Sequence, residues 1–124
     1  MPFSINAANS ILNNYVKTKY MALFSSAPSD GASGVTFTEL GGSGYARAAL
    51  SLAMGNAANR SITNAEIIYF PEAESDWGTA THFGIFDAKT GGQPIIYGAL
   101  DAPVTVPVNY VPLFRVGQFN LTLN

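Results

Sequence analysis

The chain has 124 residues, six basic and eight acidic side chains, a net charge of −2, one histidine and no cysteine. That length fits one domain, residues 1–124, with a core of its own. The missing cysteines exclude disulfides, thiolate metal sites and a cysteine nucleophile, the single histidine, His82, excludes a two-histidine metal motif within the chain, and no basic excess exists to hold a nucleic acid backbone or an anionic membrane.

Charged residues make up only 11%, against about 25% in an average domain. Gly, Ser, Thr, Asn and Ala take their place. Such a surface suits a subunit covered by neighbours. The start, MPFSINAANS, has no basic segment followed by an apolar run, so no leader is expected. The apolar stretches fall well short of the about 18 residues that span a bilayer.

In chain order, Ser4 reads as an N-cap, and Ile5, Ala8, Ile11, Leu12 and Tyr15 then fall on one face of a short helix. Lys19 to Ser25 reads as a strand apolar on both faces. Ala27 to Gly31 has turn chemistry, and Val35 to Leu40 is a short edge strand broken by Gly41 to Gly44. Tyr45 to Leu52 is a second strand, and residues 53–61 are a loop. Glu66 to Phe70 is a strand closed by Pro71, and Glu72 to Asp76 an acidic loop. Thr79 to Asp87 and Pro94 to Leu100 form a hairpin around a loop at Ala88 to Gly92. Pro103, Pro107 and Pro112 place the following segments at edges or bends. Gly117 to Asn124 alternates, with Phe119, Leu121 and Leu123 on one side, as a half-buried closing strand. One helix and about seven short strands predict a mainly β fold: an antiparallel β-sandwich or barrel, jelly-roll-like, with one short N-terminal helix.

Candidate chemistry is sparse. Glu72, Glu74 and Asp76 are the sole carboxylate cluster, but the spacing lacks the glycine turn and terminal bidentate Glu of a calcium loop. His82 and Thr81 are expected on opposite faces of a strand and so unable to pair. No Gly-x-Ser-x-Gly elbow is present, and Gly41–Gly44 lacks the Lys of a phosphate loop. Arg47, in an apolar strand, needs a carboxylate or carbonyl partner if buried, or else faces a neighbouring subunit. Tyr45, Trp77 and Tyr97 would make a sugar-stacking surface if exposed together. Nothing points to an enzyme, a metal or a cofactor.

The segment Asp76-Trp77-Gly78-Thr79-Ala80-Thr81-His82-Phe83-Gly84-Ile85-Phe86-Asp87-Ala88, with Gly91-Gly92 and Ile96-Tyr97-Gly98-Ala99-Leu100, resembles a group of small tailed-bacteriophage virion proteins usually labelled "phage tail fibre protein". Tyr20 to Phe24 with Pro28, Gly44 to Arg47, Phe70-Pro71, and Gly117 with Leu121 to Leu123 extend the resemblance over most of the chain. The sequence departs from it at Val108-Asn109-Tyr110, where a glycine turn would be expected. The resemblance implies a non-enzymatic virion component. Lacking a repeat or a heptad, the chain is expected to be a capsid decoration (cement) subunit on the head surface. It would act as a homotrimer that binds the major capsid protein or other virion proteins. The alternative is a tail-fibre or tail-tip component that binds host glycan or another tail protein. Expected interface residues are Ile11 and Tyr15 on the helix, Tyr110 and Leu113 in the tail, and Trp77 after the acidic loop, which is either a core plug or an exposed interface anchor.

Overall fold

A computed structural model of the chain describes residues 3–50 and 53–123. The first two residues, the Ser51–Leu52 end of the expected second strand, and Asn124 at the end of the closing strand lie outside the described residues.

The helix forms where the cap places it. α1 spans Ile5–Val16, and the Ser4 side chain accepts the Ala7 amide at 3.1 Å, supplying a first-turn N–H with the partner the helix cannot give it. The buried stripe is Ala8, Leu12 and Val16, four residues apart. Of the other residues expected to share a face, Ile5 and Tyr15 are exposed and Ile11 is half-buried. The helix is rotated by two polar pins: Asn9 Oδ1 accepts the Arg60 amide and Asn13 Oδ1 the Ala57 amide. These asparagines turn toward the loop that follows the second strand and carry Tyr15 outward.

Among the described residues ten strands follow: β1 (Tyr20–Phe24), β2 (Ser29–Gly31), β3 (Gly34–Thr36), β4 (Ala48–Ala49), β5 (Ser61–Thr63), β6 (Ile68–Tyr69), β7 (Gly78–Phe86), β8 (Ile96–Val106), β9 (Leu113–Phe114) and β10 (Asn120–Thr122). All pairings are antiparallel. A four-stranded sheet has the order β4-β1-β7-β8, and β2–β3, β5–β10 and β6–β9 are two-stranded ribbons. The fold is thus mainly β with one short helix, as the patterning predicts. Of the two architectures expected, the barrel is not formed, because the sheet stays open at β4 and β8.

The sheet packs on both faces. Met21, Leu23, Phe83 and Ile85 join Leu12, Val16, Ile62, Ile68, Phe114, Phe119 and Leu121 in the main core. Ala22, Phe24 and Phe86 form a second cluster on the opposite face, closed by Phe37. Phe37 stacks on Phe24 with ring centroids 5.1 Å apart. This is why β1 is apolar at every buried position: it has no solvent face.

Several expected segments differ in length. The Tyr45 to Leu52 strand is ladder-paired over Ala48–Ala49 among its described residues. The Val35 to Leu40 strand is reduced to β3, and residues 38–40 instead run beside β1 through Ser25–Thr38 and Leu40–Leu23 backbone bonds. Part of the Ala27 to Gly31 turn pairs as β2. The 53–61 loop ends in a tight turn with Asn59 and Arg60 both at positive φ (51° and 65°) and Ala58 and Ser61 exchanging backbone bonds. That turn geometry twists with the strands it joins and launches β5, which the patterning misses. Where a glycine turn was expected, Asn109 takes φ 70° and Tyr110 N–H donates to Pro107; asparagine is the non-glycine residue best suited to that left-handed position.

The central hairpin is present, but β8 runs past Leu100 to Val106. It can pass Pro103 because β8 is the sheet edge and the register jumps there. Ala80 opposes Val104 while His82 opposes Ala99, so Leu100–Pro103 bulges out of the ladder. The same irregularity overturns the expectation for Thr81 and His82. Thr81 Oγ1 lies 2.8 Å from His82 Nδ1 and donates to the Ser25 carbonyl at 3.2 Å. The hydroxyl has one hydrogen, so Nδ1 is the donor to Thr81.

Candidate functional site

Two surface depressions and one buried polar hub are candidates for function. The hub is Arg47, whose side chain is 3% exposed. Its Nε and Nη2 donate to Glu39 at 2.9 Å each. Its Nη1 donates to the carbonyls of Ala88 and Gly91 in the β7–β8 loop, and its guanidinium lies 3.6 Å from the Phe86 ring centroid. The sequence requirement for a carboxylate or carbonyl partner is met by both kinds. Tyr45 joins the hub by donating to Glu39 and accepting the Leu23 amide. Burial, and then the Glu39 hydrogen bond, push the Tyr45 hydroxyl well above the ordinary tyrosine range. A depression of about 660 Å³ opens beside this hub, with Tyr20 and Lys89 in its wall. The hub's polar groups are engaged with one another, so it holds the hairpin loop in place.

Trp77 is 4% exposed, packs edge-to-face on Tyr45 with centroids 5.2 Å apart, and donates its indole N–H to the Ser43 carbonyl. It is a core plug, and little of it is offered to a partner. Tyr97 alone of the Tyr45, Trp77 and Tyr97 set stands exposed, so no joint sugar-stacking surface exists. In the acidic loop, Asp76 Oδ1 accepts the Val108 amide. Among the described residues no group of three or more His, Asp or Glu side chains is placed to hold a metal ion, and no helix is long and apolar enough to cross a membrane.

The second depression is a groove of about 470 Å³ between the β8 bulge and the tail. Phe83, Phe114 and Phe119 line it together with Tyr110 and Leu113. The tail bends over it because Pro107–Tyr110 turns and residues 109–112 bond back to Phe70 and Ala73. Leu113 opposes Tyr69 across β6–β9, and Tyr69 is 59% exposed. Two expected interface residues, Tyr110 and Leu113, therefore come together, while Ile11 and Tyr15 lie apart on α1. Tyr69 was missed, although the Ile68-Tyr69 alternation signals one residue in and one out.

Asn64, which the sequence reading also missed, positions this region. It is 1% exposed. Its Nδ2 donates to the carbonyls of Glu66, Phe114 and Arg115, and its Oδ1 accepts the Phe119 amide. One asparagine thus gives the turn between β9 and β10 its buried hydrogen-bond partners. An isolated Asn in a polar stretch carries no such signal in sequence.

A family model described as Podophage GP4 fiber I protein gp80 matches residues 3–122. No curated protein matches the chain.

Proposed function

Since the chain belongs to the Podophage GP4 fiber I protein gp80 family, we propose that it is a non-enzymatic structural subunit of a virion fibre. It would bind further copies of itself and other virion proteins through uncharged apolar surface. The observation that carries this reading is the groove mouth, where Tyr110 and Leu113 stand with the exposed Tyr69 on the adjoining ribbon. The surrounding chain is only 11% charged. Apolar side chains in such a setting suit a surface that is covered in use.

A second reading, a capsid decoration subunit that ties the major capsid protein as a homotrimer, draws support from the shape of the chain. The main core gathers residues from the helix to the closing strand, and these 124 residues hold no repeat. Immunogold electron microscopy of intact particles separates the two. Label at a few copies on a fibre or tail supports the fibre reading. Label spread over the head overturns it in favour of decoration, and label absent from particles overturns both.

A further inference from the structure

We propose that the Ile96–Ala99 half of β8 is a homotypic edge, where a second copy of this chain lays the same segment antiparallel and joins two four-stranded sheets into one. Among the described residues β8 pairs with β7 alone and leaves its outer side open. Unpaired edges template further strands, and proteins blunt them with charge, proline or a bulge. All three devices are present on β8, and all three fall between Leu100 and Pro103: Asp101, Pro103 and the register jump. The Ile96–Ala99 half carries none. Its solvent side instead shows Tyr97, 37% exposed, beside Ile95, 40% exposed.

A second copy is the occupant because this edge is complementary to itself. In an antiparallel pair related by a twofold axis, the donors of a segment meet the acceptors of the same segment. Charge agrees. Residues 90–100 hold no charged side chain and are bounded by Lys89 and Asp101. With the axis at Tyr97, Asp101 opposes Gln93 of the other copy; with the axis at Gly98, it opposes Ile95. In neither register does a charge meet its like, which would cost stability. At the first register the two Tyr97 side chains form an aromatic cross-strand pair, a favourable combination. The contact closes on two copies, so a threefold assembly would need a different surface.

This inference stands apart from the choice between fibre and head and is tested on the isolated chain. Sedimentation of the full-length protein over a range of concentrations should show a reversible monomer–dimer equilibrium. Tyr97→Lys places like charges across the axis and should weaken dimerisation about tenfold or more. Val108→Lys, at an exposed apolar position past the opposite end of β8 from Ile96–Ala99, should leave it unchanged, with thermal unfolding confirming that both variants are folded. A wild type monomeric throughout would overturn the inference, as would a dimer insensitive to Tyr97→Lys or one broken by Val108→Lys.

Discussion

Arg47 and Glu39 meet in a two-pronged ion pair, Nε to Oε2 and Nη2 to Oε1, each at 2.9 Å. The arginine is almost fully enclosed and the carboxylate is 20% exposed. The pair sits on the second face of the sheet, where the guanidinium covers Phe86 and ties down the β7–β8 loop.

Removing one partner strands the other. Arg47→Met should destabilise the fold by about 3 kcal/mol in urea unfolding, because Glu39 keeps its charge with little access to water. The double variant Arg47→Met, Glu39→Leu should recover much of that loss. A double variant no better than the single one would show that the loop carbonyls of Ala88 and Gly91, and not the ion pair, dominate.

Gly84 leaves room for Phe24. A Cβ at position 84 would overlap Phe24 Cζ, so the ring would have to leave its stack with Phe37. Gly84→Ala should cost about 1–3 kcal/mol. Gly41→Ala, where nothing lies within 4 Å, should stay within about 0.5 kcal/mol of wild type. Thermal unfolding of the two variants side by side checks the contrast.

Asn64→Ala should orphan the buried Phe119 amide and take one donor away from the carbonyls of Phe114 and Arg115. Each buried group left without a partner costs about 1–3 kcal/mol. Hydrogen exchange should accelerate at Phe119 and Gly117 before it does so in β1 or β7. Equal acceleration everywhere would instead indicate global loss of stability.

Tyr45 gives a pH dependence. Its hydroxyl stays protonated in the fold above the ordinary value of 10.0, so the native state binds a proton that the unfolded state releases. Its contribution is therefore complete below about pH 10 and lost as pH rises further, at about 1.4 kcal/mol per pH unit. Tyr45→Phe should be less stable than wild type at neutral pH, through loss of the bonds to Glu39 and Leu23, and should fall less steeply above pH 10. Urea midpoints taken from pH 8 to 11 measure both effects.

The sequence by itself determined the class of fold and its main pieces. The Ser4 cap, the doubly apolar β1, the central hairpin and the alternating tail are set by local chemistry and by hydrophobic period, which act over a few residues and are visible in one chain. The need of Arg47 for a partner was legible too, since a charge in an apolar strand cannot stay bare. Tertiary structure alone decided what those rules leave free. Two asparagines rotated α1 and turned Tyr15 outward, a register jump let β8 pass Pro103 and brought Thr81 to His82, and burial chose the core plug over the interface anchor for Trp77. It also brought Tyr110 and Leu113 to one groove and gave Asn64 its buried role. Each of these depends on which distant backbone groups come within hydrogen-bond reach. That is set by how the sheet, the ribbons and the helix pack together, and no local pattern encodes it.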